Sequence, residues 1–332
     1  MADPIAGAGI TAAAAVGCGV IGAGWVARLR IRGIEVRAFD PAPNAADILD
    51  EVFDNAVAAW RQLDLEPAAA EIGSLTMSSS IEEACAGHDI GLVVESVPER
   101  LELKHSTLSA IDAVTDASAV IASSTSGFRP SVLAEPLAHP ERLVVGHPFN
   151  PVYLLPLVEV VAGQKTDEAV IERAMAIYTA LGMHPLRVRA EIDAHIADRL
   201  LEAVWREALW LVNDGVATTE EIDDSIRYGF GLRWAQMGLF ETYRIAGGLG
   251  GMRHFISQFG EALSWPWTKL MDTPELTDEL IETIASQSDA QSGGYDVREL
   301  ERIRDTNLAA ILRALEANRW GAGNTIAALR NA

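Results

Sequence analysis

Residues 12–22 read Ala-Ala-Ala-Ala-Val-Gly-Cys-Gly-Val-Ile-Gly, and this stretch decides the fold. Its three glycines follow a short apolar run and open a segment with helical character. Glycines at this spacing permit a tight turn, close approach of a diphosphate to the backbone, and close packing of a helix on a sheet. The diphosphate would lie at the helix N-terminus, where unpaired amides and the helix dipole favour negative charge. The residues predicted to bind it are Gly17, Gly19, Val20, Ile21 and Gly22.

Asp40 strengthens this prediction. It stands eighteen residues beyond Gly22, at the end of the apolar run Glu35–Phe39. A carboxylate at that position binds the ribose diol of a dinucleotide. Pro41 and Ala42 follow it, so no arginine is placed to bind a 2′-phosphate. The sequence therefore favours NAD over NADP.

The first half of the chain alternates between apolar runs and helical patterns. Such alternation predicts an α/β fold with a doubly wound, mainly parallel sheet of the Rossmann type. From Asp193 onward helical periodicity takes over, so residues 1–190 are predicted to bind the cofactor and residues 191–332 to form an all-α domain. The predicted strands are Ala12–Val16, Glu35–Phe39, Ile90–Glu95, Ala119–Ala122 and Leu143–Gly146, and the predicted helices include 22–32, 48–63 and 101–114.

Composition narrows the classes of function. The 332 residues carry a formal net charge of −21, which disfavours nucleic acid and other polyanions as partners. No apolar run reaches membrane-spanning length, and the first residues lack the basic region of a signal peptide. Two cysteines give no disulfide framework, so a cytoplasmic location is expected. No metal site is predicted.

Three polar residues are candidates for the chemistry. Ser126 ends a Ser-Ser-Thr-Ser run after one predicted strand, and His147 follows another. Ligands bind at the carboxyl ends of strands in such sheets. Glu159 lies in the apolar run Leu157-Val-Glu-Val-Val161, where a carboxylate without a partner would be costly. His147 is the nearest candidate partner, and a glutamate there would orient the imidazole as a general base.

Four stretches together resemble the 3-hydroxyacyl-CoA dehydrogenase family. They are the glycine loop, Glu95-Ser-Val-Pro-Glu99, Ser123-Ser-Thr-Ser126 and His147-Pro-Phe-Asn-Pro with Leu157-Val-Glu159. The resemblance spans essentially the whole chain. It implies a Rossmann domain with NAD, followed by a helical domain that forms a homodimer. It also implies specific roles: His147 as base, Glu159 as its partner, Ser126 as hydrogen-bond donor to the substrate oxygen, and Glu99 and Lys104 bordering the cofactor.

Asp198 separates this chain from the acyl-CoA members of that family, which carry an asparagine in the corresponding Asn-Arg-Leu motif. A carboxylate beside a reacting alcohol needs a cation, and the trimethylammonium group of carnitine would supply one. Opposite charges about 4 Å apart at a protein surface interact by roughly 4 kcal/mol before desolvation. Asp198 is therefore predicted to recognise that charge. The alternative is an ion pair with Arg199 or Arg206.

The helical half also resembles carnitine-oxidising members of the family, over residues 229–248 and 265–269. Aromatic residues concentrate between Trp205 and Trp267, and most of them must form core or interface. A few could form a cage for a quaternary ammonium, each face contributing about 0.5–2 kcal/mol. The candidates are Phe149, Tyr153, Trp234, Phe240 and Tyr243. Arg233 could bind the substrate carboxylate through two parallel hydrogen bonds, and a surface or capping role is its alternative.

The sequence thus predicts NAD-dependent oxidation of a small zwitterionic 3-hydroxy compound, carnitine. Three alternatives stay open. A 3-hydroxyacyl-CoA substrate carries several phosphates, which the net charge opposes. A gulonate-type sugar acid would also need a small site with an arginine. A dinucleotide-binding protein that has lost catalysis, like the lens crystallin of this family, is disfavoured by intact Ser126, His147 and Glu159.

Overall fold

The computed structural model describes residues 9–235, 238–247, 249, 251–259, 266, 268, 275, 277–291 and 297–331. The chain divides into two compact units. The first comprises the chain up to Ala197 together with Arg302–Ala332, and the second comprises Asp198–Glu301. None of the described helices is both long and apolar enough to cross a membrane.

The first unit is built on one eight-stranded sheet. Its strands are β1 (Ala12–Val16), β2 (Glu35–Phe39), β3 (Leu75–Met77), β4 (Ile90–Glu95), β5 (Val120–Ser123), β6 (Leu143–Pro148), β7 (Leu157–Ala162) and β8 (His184–Val188). They lie in the order β3-β2-β1-β4-β5-β6-β7-β8. Among these eight described strands, β6 and β7 pair antiparallel and the other neighbours pair parallel. The mainly parallel, doubly wound sheet is as predicted, and its strand order reverses between β1 and β4.

Helices of the first unit cover both faces of this sheet, and other helices form most of the described part of the second unit. They are α1 (Val20–Ile31), α2 (Ala45–Gln62), α3 (Ile81–Cys85), α4 (Leu101–Val114), α5 (Pro130–Leu133), α6 (Glu168–Ala180), α7 (Ala197–Asn213), α8 (Thr219–Ser225), α9 (Gly231–Trp234), α10 (Gly238–Ala246), α11 (Gly251–Phe259), α12 (Asp278–Gln291), α13 (Val297–Ala317) and α14 (Gly323–Asn331).

The alanine-rich strand β1 forms because it is central. It pairs with β2 on one side and β4 on the other, and all five of its residues are buried. Successive side chains point to opposite faces of the sheet. Ala13 and Ala15 therefore join the apolar cluster that contains α1 and α6, while Ala12 and Ala14 join the cluster that contains α4. Burial on both faces overrides the poor strand propensity of alanine.

The last two helices return to the first unit. Ala309, Leu312 and Ile326 pack in a third apolar cluster with α1 and α2, around Trp60 and Tyr153. The division therefore differs from the predicted second domain of residues 191–332, because residues from Arg302 onward bury their apolar face against the first unit.

The described residues of the second unit contain helices and no strand, as predicted. Helix α8 begins with a capping box, in which Thr218 and Glu221 bond each other's backbone amides. Thr277 accepts a hydrogen bond from the Leu280 amide at 3.2 Å at the start of α12. These caps satisfy amides that a helix N-terminus otherwise leaves unpaired.

Candidate active site

A cleft of about 910 Å³ opens at the carboxyl ends of the central strands. Ligands bind at this edge in open α/β sheets, next to the point where the strand order reverses. The glycine loop lines one part of the cleft, and Ser126 and His147 line another. Most of the residues predicted for cofactor and chemistry therefore lie together in the first unit: Gly17, Gly19, Val20, Ile21, Asp40, Glu99, Lys104, Ser126 and His147.

The glycine loop has the geometry of a diphosphate cradle. Gly17 has φ +91°, and a Cβ there would lie 2.7 Å from the backbone carbonyl of Ser96. Gly19 has open space around it, so a ligand can approach its backbone closely. Helix α1 begins one residue later, at Val20, and the first amides of a helix have no intrahelical partner. A side chain at residue 17 is excluded by the protein, and one at residue 19 would exclude a ligand.

Asp40 is held at the cleft by backbone amides. Its Oδ2 accepts from the amide of Cys18 at 2.7 Å, and its Oδ1 accepts from the amide of Ala42 at 2.8 Å. The first bond ties the end of β2 to the glycine loop. Because both amides donate to the carboxylate, its orientation is fixed before any ligand binds. The lone pairs that remain are acceptors suited to hydroxyl groups.

Glu99 and Lys104 border the cleft in an ionic network that runs from the buried Glu95 and Lys104 to the exposed Glu99. The Lys104 ammonium is 1% exposed and donates to Glu95 Oε1 at 2.9 Å, and its Nζ lies 3.3 Å from Glu99 Oε2. The buried Glu95 also accepts from the Ser123 hydroxyl at 2.5 Å. Removing one member of a buried pair leaves an uncompensated charge. Lys104 therefore also holds the ends of β4 and β5 in place.

Three members of the serine run bond to the protein. Ser123 donates to Glu95, and Thr125 donates to Glu99. Ser124 accepts from the Trp25 indole at 3.0 Å. Ser126 lies in the cleft lining with His147. Ser123 and Thr125 fix the loop, and Ser124 and Ser126 both line the cleft.

The predicted pair of His147 and Glu159 is formed. The two residues face each other across the antiparallel pair of β6 and β7, and His147 Nδ1 lies 3.0 Å from Glu159 Oε2. The other carboxylate oxygen accepts from the amides of Ile196 and Ala197 at 3.0 and 3.1 Å. Burial alone would raise the pKa of Glu159, but these hydrogen bonds outweigh it and leave the pKa lowered. Glu159 is therefore ionised, and Nδ1 of the imidazole is the donor.

The loop after His147 is anchored by a buried arginine. Arg28 donates to the carbonyls of Val152 and Leu155 at 2.9 and 3.2 Å, and to that of Leu181 at 3.3 Å. Burial, with the charge of Arg32 nearby, lowers the pKa of Arg28 to about 9. The guanidinium therefore fixes the backbone that leads away from the histidine.

Phe149 and Tyr153 lie on this loop and have different surroundings. The Phe149 ring meets the His147 ring edge-on, with 4.9 Å between centroids. Tyr153 is 5% exposed, and its hydroxyl donates to the buried Asp305 carboxylate. Its ring packs with Trp60 in the third apolar cluster, and it is not among the residues that line the cleft. The prediction that Tyr153 forms part of an ammonium cage is corrected accordingly, since its ring and hydroxyl are used by the core.

The remaining substrate candidates lie in the second unit. Asp198 is in the first turn of α7, and Arg233 is exposed on α9. The ring of Trp234 meets that of Phe230 at 4.5 Å, and Tyr243 stacks on Phe255 at 4.6 Å. Phe240 is 76% exposed. Their role in substrate binding stays a prediction.

His195 was missed by the sequence reasoning. It is fully buried, and its ring centroid lies 5.5 Å from that of His147. Its Nε2 lies 3.2 Å from the carbonyl of Thr125, in the serine loop. The sequence offered one signal, a histidine three residues before Asp198 in a segment that already carried a predicted site residue.

Known proteins match this chain along most of its length. Residues 12–192 match the 3-hydroxyacyl-CoA dehydrogenase NAD binding domain, and residues 195–297 match the C-terminal domain of the same family. An L-carnitine dehydrogenase/betainyl-CoA thioesterase of Agrobacterium fabrum is 61% identical over 318 residues. That match covers 96% of this chain, which spans 64% of the relative's length.

Two further comparisons cover more of the matched protein. An L-carnitine dehydrogenase of Mesorhizobium japonicum is 56% identical over 95% of this chain and 87% of its own length. A solved structure of 5-formyl-3-hydroxy-2-methylpyridine 4-carboxylic acid 5-dehydrogenase, an NAD⁺-dependent dismutase, aligns with a TM-score of 0.76 at 27% identity. That alignment covers 92% of this chain and 99% of the other.

Proposed function

We propose that this chain, which belongs to the 3-hydroxyacyl-CoA dehydrogenase family, catalyses the NAD-dependent oxidation of the 3-hydroxyl group of L-carnitine to give 3-dehydrocarnitine. The observation that supports L-carnitine as the substrate is the 56% identity of this chain to a protein named only L-carnitine dehydrogenase. The buried pair of His147 and Glu159, beside a dinucleotide cleft, supports an alcohol oxidation.

The residues of the cleft fit NAD. Gly19 leaves space for a diphosphate at the start of α1, and Asp40 presents fixed acceptors for a ribose diol. Glu99 and Lys104 border the same space. When bound, NAD supplies the acceptor for the hydride that leaves C3 of the substrate.

His147 would take the hydroxyl proton. Because Glu159 is ionised and accepts from Nδ1, the neutral imidazole has Nε2 as its proton-accepting nitrogen. The O–H bond breaks as the carbonyl forms, and the proton moves to Nε2. Glu159 then stabilises the imidazolium without taking the proton itself. Ser126 would donate to the substrate oxygen and hold it beside the base.

Six side chains are the candidates for substrate selection in this proposal. Phe149 packs edge-on against His147 and would meet the substrate near the reacting carbon. Asp198 would recognise the trimethylammonium group, and Arg233 the carboxylate. Trp234, Phe240 and Tyr243 are the remaining candidates for an ammonium cage, and their exposure of 40%, 76% and 40% supports availability to a ligand or a partner.

A cytoplasmic homodimer through the helical domain completes the proposal. Leu200, Leu201 and Trp205 on α7 are all more than half exposed, at 57%, 58% and 52%. A group of exposed apolar side chains of this kind is typical of an interface between protein subunits.

The test is a substrate panel with L-carnitine, L-gulonate and 3-hydroxybutyryl-CoA, each assayed for NADH production. L-carnitine is expected to give saturable turnover, with kcat/KM exceeding that of either rival by about 100-fold or more. His147→Ala should abolish this turnover. His184→Ala removes an exposed histidine on β8, outside the cleft, and should leave it unchanged. Turnover of L-gulonate or the acyl-CoA without turnover of L-carnitine would overturn the proposal.

A further inference from the structure

The segment Ala194–Ala197 contains an unusual backbone. Ala194 and His195 have φ angles of +59° and +48°, in the left-handed region that favours glycine. A non-glycine residue is disfavoured in this region, because its Cβ lies too close to the following carbonyl oxygen. Two such residues in succession persist only where the surrounding contacts require that conformation.

Those contacts join this segment to the serine loop on both sides of Ser126. The Ala194 amide donates to the carbonyl of Gly127 at 3.0 Å. His195 Nε2 lies 3.2 Å from the carbonyl of Thr125. A carbonyl can only accept, so Nε2 of His195 carries the proton and donates it.

The same segment also holds the partner of the base. The two amides that follow His195, those of Ile196 and Ala197, donate to Glu159 Oε1 at 3.0 and 3.1 Å. The imidazole of His195 itself lies against His147, with 5.5 Å between ring centroids. Four residues in a row therefore contact the loop of the substrate-binding hydroxyl, the base, or the carboxylate that orients the base.

We propose that His195 is a positioning residue for the reaction. By donating to the Thr125 carbonyl while its ring packs on His147, it fixes the position of Ser126 relative to the base. The left-handed turn that places its ring also directs the next two amides to Glu159. The inference rests on the proposed function, because Ser126 and His147 must reach the same substrate oxygen. A displacement of about 1 Å between such groups costs about 100-fold in rate.

Two substitutions at this position separate the hydrogen bond from the packing. His195→Phe keeps a ring against His147 and removes the donor. His195→Gln loses the ring and keeps an amide donor at about the position of Nε2. If the hydrogen bond is what matters, glutamine restores what phenylalanine loses. His105→Phe is a matched control, since His105 lies on α4 and its Nε2 is 2.8 Å from the carbonyl of Val132 on α5.

Amide hydrogen exchange tests the positioning without any substrate. In His195→Phe the amides of Ala194, Ile196 and Ala197 should exchange about tenfold faster or more, as expected for local opening. In His195→Gln and His105→Phe they should exchange as in the wild-type protein. Thermal unfolding of each variant identifies any loss that comes from global destabilisation.

Steady-state kinetics with L-carnitine tests the consequence. His195→Phe should lower kcat about 10- to 100-fold with little change in KM or in NADH affinity, and His195→Gln should recover most of that loss. Unchanged exchange in His195→Phe, or a His195→Gln variant as impaired as His195→Phe, would overturn the proposal. If the wild-type protein does not oxidise L-carnitine, the proposed function fails on its own, and the exchange data still decide whether His195 positions the loop.

Discussion

Replacing Glu159 with glutamine would change the donor pattern at the base while keeping the shape of the side chain. The glutamine oxygen can still accept from the amides of Ile196 and Ala197, which now bond Oε1. Its amide group would then face His147 Nδ1, which lies 3.0 Å from Oε2. Two donors cannot face each other, so the imidazole would change tautomer and carry its proton on Nε2. That nitrogen could no longer accept a proton from the substrate.

The expected loss is large. The same carboxylate-to-amide change behind the histidine of a serine protease lowers kcat by about 10⁴-fold. We expect kcat to fall about 10³- to 10⁴-fold here, because the reaction also needs the histidine tautomer whose Nε2 is free to accept the hydroxyl proton. NADH affinity, measured by fluorescence titration, should stay near that of the wild type, since Asp40 and the glycine loop are unchanged. A kcat within tenfold of the wild type would refute the tautomer argument.

The same substitution has a pH-dependent effect on stability. The folded protein lowers the pKa of Glu159, so its ionised form stabilises the fold above the unfolded pKa of about 4.3. This contribution is lost as pH falls through the folded pKa. Hydrogen bonds to a charged group contribute about 1.5–3 kcal/mol. The difference in free energy of unfolding between wild type and Glu159→Gln, from urea titrations, should therefore be larger at pH 7 than below pH 4. An equal difference at both pH values would mean that the charge contributes nothing.

Two further substitutions test the remaining assignments. Asp40→Asn removes the charge that would bind the ribose diol, and should weaken NADH binding by about 10- to 100-fold while improving NADPH binding relative to it; unchanged NADH affinity in a fluorescence titration would contradict this role. Tyr153→Phe leaves the buried Asp305 without its hydroxyl donor and should lower the free energy of unfolding by about 1–3 kcal/mol, with KM for L-carnitine unchanged because Tyr153 lies outside the cleft lining. A raised KM would return Tyr153 to the substrate site.

The parts of the fold that could be predicted are those whose signals are local. The glycine loop, Asp40 and the buried strands β1, β2, β4 and β6 follow from apolar runs and turn residues next to each other in the chain. The family resemblance and the choice of NAD, which rest on the same residues, are confirmed by the matched domains. Strand β8 was missed because it lies at a sheet edge, where His184 and Arg187 are exposed and break the apolar pattern.

The return of the C-terminal helices could not be predicted, because it depends on packing between distant parts of the chain. Helices α13 and α14 have an amphipathic pattern that fits a helical domain equally well. The cluster of Ala309, Leu312 and Ile326 with Trp60 decides where they pack. Periodicity identifies an apolar face and does not name the surface that covers it.

The candidate site shows the same distinction at the level of single residues. The pairing of His147 and Glu159 could be inferred because a carboxylate in a buried strand needs a partner, and the antiparallel register then places the two side chains opposite each other. Nothing comparable marks Ala194 and His195. Only a small fraction of non-glycine residues adopt the left-handed region, histidine more often than alanine, so local rules predict an ordinary backbone there. The two positive φ angles accompany the hydrogen bonds of this segment to Thr125, Gly127 and Glu159. The turn that they form directs the His195 ring and the next two amides to those partners.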